Sequence, residues 1–328
     1  MTLILGRHDV EEVLSMELTL EAVEAAFLEH GQGTTLVPDR IGMFLEQYHG
    51  VIGVMPGYMQ SLKAAGVKII CHHEDNPKQR GLPASAGLVV YHDPSTGMPL
   101  AIMDCAYLTR MRTGAATGVS VKHLARADAK VVGIVGAGAQ ASAQIAAIGL
   151  VRTLETVKVF DIDPAASVRL VEEIRQVGLE AETVSGPQEA CAGADILVTC
   201  TPARTPFVLG DWIRPGMHIA AVGADMPHKS ELHPDVYRRA DKWVTDLINQ
   251  ALVTGEIAWA IEQGAIREET LHATLGEIVA GRAPGREDDA EITIFKSTGM
   301  AIQDVAAAKA VYELAKQKGI GVELSITP

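Results

Sequence analysis

The apolar positions of this chain change their spacing twice, and the changes divide it into segments. A short apolar run at residues 3–5 predicts an opening strand. Thr19 then stands as a candidate N-cap before Leu20, Val23 and Phe27, which share one face at helical spacing. Beyond Pro38 the texture turns β-like, with strand candidates at 41–48, 51–55, 67–71 and 86–91. The turn sequence His92-Asp93-Pro94-Ser95-Thr96-Gly97, followed by the apolar run 99–103, predicts a hairpin. Residues 110–124 read as a helix rich in small side chains, suited to close packing.

From Lys130 strands and helices alternate, with strand candidates at 131–135, 157–161, 196–200, 218–222 and 243–245. That alternation is the grammar of a doubly wound parallel sheet. Past Gly255 the chain is helical again. Residues 282–286 read as a loop and 292–295 as a short strand. A last helix from about Met300 carries Ile302, Val305, Ala308 and Tyr312 on one face. The predicted class is α/β: a central Rossmann-type domain at 116–304, and a second α+β domain from 1–115 joined by 305–328.

The length of 328 residues suits two domains. With 48% hydrophobic and 21% charged residues the chain reads as a globular protein. Its net charge of −13 is spread along the sequence, which excludes nucleic acid and anionic membranes as expected partners. Residues 131–151 carry no charge and are long enough to span a bilayer, but their glycines and glutamines favour a strand plus a packed helix. Residues 1–7 lack the apolar core of a signal peptide, and the four cysteines show no Cys-x-x-Cys spacing. Free thiols in a reducing cytoplasm are the expectation. Cys71-His72-His73-Glu74-Asp75 superficially suggests a metal site. Neighbours on an extended segment point to alternate faces, so no metal is expected.

The most informative segment is Val131-Val132-Gly133-Ile134-Val135-Gly136-Ala137-Gly138-Ala139-Gln140-Ala141, followed by Val157-Lys158-Val159-Phe160-Asp161. A buried strand, a glycine turn, a helix and a second strand ending in an acid form a dinucleotide-binding unit. Gly136 makes the tight turn, Gly138 admits a pyrophosphate, and the small Ala141 allows helix and strand to pack. Asp161 can accept from both ribose hydroxyls and repels a 2′-phosphate, which points to NAD. Arg152 is the base whose approach would offset that preference.

Four further segments carry chemical groups. Arg112, in Arg110-Met111-Arg112-Thr113-Gly114, either grips a carboxylate or is a solvated helix charge. Lys68 interrupts the apolar run Gly66-Val67-Lys68-Ile69-Ile70-Cys71. It either emerges on a wet face or is buried with a partner, where its pKa is easily shifted. Asp225 follows Val222-Gly223-Ala224 at the strand edge where α/β sheets bind ligands, with Lys229 four residues on. Phe295-Lys296-Ser297-Thr298-Gly299 places hydroxyls in a tight loop before the last helix.

Together these segments, with Met55-Pro56 and Lys229-Ser230-Glu231-Leu232, resemble the ornithine cyclodeaminase/mu-crystallin family over essentially the whole chain. The resemblance implies a homodimer whose first domain serves dimerisation and substrate binding, with each active site between the two domains. It implies an NAD(P)-dependent enzyme working on the C–N bond of α-amino or α-imino acids. Arg40, Lys68 and Arg112 match the substrate-carboxylate and acid–base cluster, Thr298 lies beside the substrate, and Asp225 matches the catalytic carboxylate. Arg112, Gly136, Gly138, Ala139, Gln140, Asp161, Thr201, Val222, Lys229 and Ser297 match cofactor-binding positions.

Three positions depart from the family pattern. Gly53 stands where ornithine cyclodeaminases tend to carry an acid, which argues against ring closure. Pro83-Ala84-Ser85 replaces a segment that often offers a threonine, and His228 occupies a common glycine position. The expectation is an NAD-dependent amino-acid dehydrogenase or ketimine reductase. A cyclodeaminase and a non-catalytic ligand-binding protein are the alternatives.

Overall fold

The computed structural model of the protein describes residues 1–326. The chain runs β1 (Thr2–Leu5), α1 (Arg7–Val13), α2 (Met16–Gln32), β2 (Thr35–Leu36), β3 (Ile41–Leu45), β4 (Gly50–Met59), β5 (Ala64–His73), α3 (Asn76–Arg80), β6 (Ser85–His92), β7 (Pro99–Asp104) and α4 (Ala106–Leu124). It continues with β8 (Val131–Val135), α5 (Ala141–Val151), β9 (Thr156–Phe160), α6 (Pro164–Gln176), β10 (Glu180–Thr183), α7 (Pro187–Cys191), β11 (Ile196–Thr199), β12 (His218–Ala221) and α8 (Pro234–Arg239). The remaining elements are β13 (Lys242–Thr245), α9 (Ile248–Leu252), α10 (Gly255–Glu262), β14 (Ala273–Thr274), α11 (Leu275–Val279), β15 (Thr293–Lys296), α12 (Ala301–Lys318) and β16 (Val322–Leu324).

Two compact units result. Met1–Arg112 and the chain from Met300 onward form the first, and Thr113–Gly299 the second. Residues 300–304, expected with the nucleotide half, therefore pack in the first unit. The reason is local: α12 begins against β4, where a Cβ on Gly57 would lie 3.0 Å from the Ala301 Cβ and 3.1 Å from the Ile302 nitrogen. Only glycine lets the helix start that close to the strand.

The first unit is built on a mixed sheet of order β16-β1-β7-β6-β5-β4-β2, with β3 also paired to β4. The expected hairpin is present as the antiparallel β6–β7 pair. One sheet face is buried through Met55, Met59, Val89, Tyr91 and Met103, with α12 packed over it. On the other face the alternation of β strands puts Ile69 beside Leu88 in register, and both remain exposed. Ile41, Met43 and Phe44 of β3 are exposed as well.

The N-terminal helix begins earlier than its pattern predicts. Ser15 is the N-cap of α2, its Oγ accepting from the Leu18 N–H at 3.2 Å. Thr19 lies fully buried one turn inside, its hydroxyl donating to the Ser15 carbonyl at 2.6 Å. A threonine that turns its hydroxyl back onto the preceding turn reads, in sequence, much like a cap.

The second unit holds a parallel sheet of order β10-β9-β8-β11-β12-β15-β13-β14. The chain leaves β8 toward β9 on one side and returns to β11 on the other. The carboxyl ends of β8 and β11 thus bound a topological switch point, the place where such sheets bind ligands. Apolar clusters fill both faces, one around Ile134, Val157, Ile196 and Val198, the other around Leu197, Ile219, Val236 and Ile294. The small-residue pattern of α4 has its purpose here: a Cβ on Gly114 would lie 2.4 Å from the Ala143 carbonyl oxygen of α5. No helix among the described residues is long and apolar enough to cross a membrane.

Candidate active site

The parallel sheet brings most of the expected cofactor positions to one edge. Gly136 follows β8, Thr201 lies just past β11, Val222 follows β12 and Ser297 follows β15, and these four strands are consecutive neighbours. Gly136 has φ +102°, and a Cβ there would come within 2.8 Å of the Cys200 carbonyl oxygen. Its identity is fixed by the fold. Gly138 differs: a Cβ there would meet nothing within 4 Å. The protein itself does not require glycine at that point, whereas a pyrophosphate drawn close to the backbone does. Ala139 and Gln140 complete the turn, and the fully buried Ala141 opens α5, whose first turn carries no acidic residue. An anion at the helix N-terminus therefore meets only favourable partial charge.

Asp161 stands just past β9 and clamps this turn. Its Oδ2 accepts from the Ala137 N–H at 2.7 Å and its Oδ1 from the Asp163 N–H at 2.8 Å. Arg152, the base that could have offset its charge, is committed elsewhere. Its guanidinium donates to the carbonyls of Val121, Ala125 and Arg126 at 2.7, 2.9 and 2.8 Å, closing the C-terminal end of α4. The residues present fit a dinucleotide with an unphosphorylated ribose.

Two buried carboxylates that sequence reasoning did not single out hold the edge in shape. Glu231 accepts from the Thr199 hydroxyl (2.9 Å), the Thr201 N–H (2.6 Å), the Thr201 hydroxyl (2.8 Å) and the Gly223 N–H (2.8 Å). Burial pushes its pKa up, with Glu256 adding to the rise. Asp246, past β13, accepts the Thr298 N–H and hydroxyl, the latter at 2.6 Å, the Gly299 N–H at 2.7 Å and the Ser297 hydroxyl at 3.2 Å. The Thr298 hydroxyl proton, expected beside substrate, is thus directed at Asp246. Asp225 and Lys229 form an ion pair at 2.8 Å, with the carboxylate 38% exposed.

In the first unit a third group forms deep within the fold. Lys68, in the middle of β5, is 2% exposed, which decides for a buried lysine over one on a wet face. Its Nζ lies 2.8 Å from Oδ2 of Asp304, in the first turn of α12. Oδ1 of the same carboxylate accepts from Arg112 Nε at 3.0 Å, and Gln303 Oε1 accepts from Arg112 Nη1 at 2.8 Å. Arg112 is likewise no solvated helix charge, being 6% exposed. Burial, then the neighbouring Arg112 charge, push the Lys68 pKa down to about 8, while Asp304 works against the fall. Arg40 stands half-buried in the connection between β2 and β3. Asp304 was not foreseen; the only signal was one acid inside the apolar pattern of the last helix. Among the described residues no cluster of His, Cys, Asp and Glu is arranged to hold a metal, and all four cysteines are free.

A sequence model of the ornithine cyclodeaminase/mu-crystallin family matches residues 1–319. The chain is 42% identical to the alanine dehydrogenase of Archaeoglobus fulgidus over 98% of both chains. Among solved structures, Thermococcus litoralis Δ1-pyrroline-2-carboxylate reductase in complex with NADH and L-proline is 42% identical. It superposes with a TM-score of 0.95, covering 98% of this chain and all of that one. An archaeal alanine dehydrogenase dimer with bound NAD is 41% identical, with a TM-score of 0.94 over 99% of each chain.

Proposed function

Because this chain belongs to the ornithine cyclodeaminase/mu-crystallin family, we propose that it is an NAD-dependent oxidoreductase acting on the C–N bond of a small α-amino or α-imino acid. The observation that carries the reading is the buried Lys68–Asp304–Arg112 cluster. Two cations and one carboxylate leave a single net positive charge where almost no water reaches. That is costly unless an anion completes it, and one substrate carboxylate is the anion required.

When bound, NAD supplies hydride transfer at the substrate carbon. Gly136, Gly138, Ala139 and Gln140 hold its pyrophosphate, Asp161 its ribose, and Thr201, Val222, Lys229 and Ser297 the remainder along the sheet edge. Arg112, Lys68 and Arg40 bind the substrate carboxylate and orient it. Nε and Nη1 of Arg112 already donate to Asp304 and Gln303, so the guanidinium enters the reaction held in plane. Asp225 takes a proton from the substrate nitrogen in the oxidative direction and returns it in the reductive one. To do so it must share or release its bond to Lys229.

The first unit serves substrate binding and dimerisation. Its exposed apolar sheet face, with Ile41, Met43, Ile69 and Leu88, supports a homodimer; light scattering at twice the monomer mass would bear this out. The free thiols support the cytoplasm as the compartment.

The reading is tested by following NADH oxidation with pyruvate, glyoxylate or oxaloacetate plus ammonium, and with the cyclic imine Δ1-pyrroline-2-carboxylate. Ammonia release from ornithine without net NADH change would instead make it a cyclodeaminase. Gly53 supplies no acid for that chemistry. NADH binding with no turnover on any of these would leave a ligand-binding protein.

A further inference from the structure

We propose that Asp304 is a positioning residue of this site, holding the Lys68 ammonium and the Arg112 guanidinium together as one carboxylate-binding unit of single net charge. The inference rests on the oxidoreductase reading above and gives Asp304 a role toward both cations that the reading leaves unstated. Three facts support it. Asp304 is fully buried and divides its two oxygens between two cations on different elements, Oδ2 to Lys68 at 2.8 Å and Oδ1 to Arg112 at 3.0 Å. It sits in the first turn of α12, where the close Gly57–Ala301 approach fixes the helix against β4. The next residue back, Gln303, is also fully buried and takes Arg112 Nη1, so consecutive residues of one helix set the plane of the guanidinium.

The groups around Lys68 can be followed element by element. Its cross-strand neighbours are Met55 on β4 and Val89 on β6, both apolar. Cys105, before α4, is a buried thiol pushed up to about 12, neutral across the working range. Arg112 on α4 disfavours the ammonium. Asp304 on α12 favours it. It is thus the counter-charge that keeps Lys68 protonated beside an arginine. With it, the lysine is an ammonium below about pH 8 and loses its charge as pH rises through that value. Without it, desolvation and Arg112 act unopposed, and the charge is lost at lower pH.

The experiment is the pH profile of kcat/KM for wild type and Asp304→Asn, with NADH binding as the check on folding. Wild type should show an alkaline limb near pH 8. In Asp304→Asn that limb should move to lower pH by at least about one unit, so activity at the old midpoint falls at least about fivefold. Gln303→Met, which removes the acceptor of Arg112 Nη1 and of the Met300 N–H but leaves the Lys68–Asp304 pair, should raise KM and leave the limb in place. A folded Asp304→Asn protein with the wild-type profile would overturn the proposal. Should Asp304→Asn not fold, Asp304→Glu decides: a raised KM with the limb unmoved supports it, and a displaced limb overturns it. If wild type turns over no amino or imino acid, the oxidoreductase reading fails separately. Pyruvate binding, followed by the fluorescence of bound NADH across pH, then tests Asp304 by the same shift.

Discussion

Removing the charge of Asp161 should erase most of the discrimination between NADH and NADPH. The carboxylate is held by the N–H groups of Ala137 and Asp163 at 2.7 and 2.8 Å, so it cannot swing away from an incoming phosphate. A 2′-phosphate carries about −1.5 to −2 charges. At about 4 Å in the dielectric of water, each unit pair costs about 1 kcal/mol. Repulsion alone therefore disfavours NADPH by about 1.5–2 kcal/mol, or roughly 10- to 30-fold. Lost hydrogen bonds to the ribose add to that figure. Arg152 offers no relief, because its guanidinium is tied to the carbonyls at the end of α4. The assay is kcat/KM with each cofactor for wild type and Asp161→Asn. The amide keeps an acceptor for Ala137 and loses the one for Asp163, which weakens the turn for both cofactors alike. The ratio is therefore the informative quantity. Wild type should favour NADH by well over tenfold, and Asp161→Asn should bring the ratio down by roughly an order of magnitude. Equal efficiencies in the wild type, or a ratio unmoved by the substitution, would refute the electrostatic argument.

Four other outcomes are expected. Asp225→Asn should leave NADH affinity nearly intact and lower kcat at least ~10²-fold; lost thermal stability with native turnover per folded molecule would make the Lys229 pair purely structural. Gly136→Ala should destabilise the fold by about 1–3 kcal/mol in urea titration, from its φ of +102° and the 2.8 Å approach to Cys200. Gly138→Ala should keep the wild-type urea midpoint yet weaken NADH binding at least ~10-fold, read by fluorescence. His218 is fully buried between Ser120 and Thr293, and burial followed by the Arg286 charge pushes its pKa down to about 3. Its contribution to stability is complete above the unfolded value of about 6.5 and is lost as pH falls toward 3. The stability difference between wild type and His218→Gln should thus narrow by about 2 kcal/mol between pH 6.5 and 5; a constant difference would contradict the assignment.

Six strands of the central sheet were legible because they are mostly apolar runs and the glycine turn has few alternative uses, whereas β10, Glu180–Thr183, and the two-residue β14 carry no such run. Lys68 and Arg112 could be picked out as charges in apolar or small-residue surroundings, yet their partner could not. Asp304 lies 192 positions from Arg112 and has no local signature beyond one acid in a buried helix stripe. The roles of Glu231, which stands in the family-like run Lys229-Ser230-Glu231-Leu232, and of Asp246 were not legible for the same reason. Each acts through backbone N–H groups, on Thr201 and Gly223 or on Thr298 and Gly299, and backbone groups leave no mark in a sequence. At Thr298, the position expected beside substrate, the fold adds a partner that the sequence did not announce, the hydroxyl closing a turn on Asp246. At Thr19 a plausible cap lost to Ser15, four residues earlier, since both residues satisfy the same local rule.

The uncovered apolar face of the first unit has a practical consequence. A sheet face exposing Ile41 at 59% and Met43 at 48% is not at its most stable alone in water. When two copies share that face, the folded state is favoured by mass action, and the midpoint of thermal unfolding rises with the amount of protein in the cell. For a pair that unfolds as separate chains, each tenfold dilution withdraws about 1.4 kcal/mol per dimer. Nanomolar assays would then examine a less robust protein than micromolar calorimetry does, and inactivation during dilute incubation would depend on how the stock was handled.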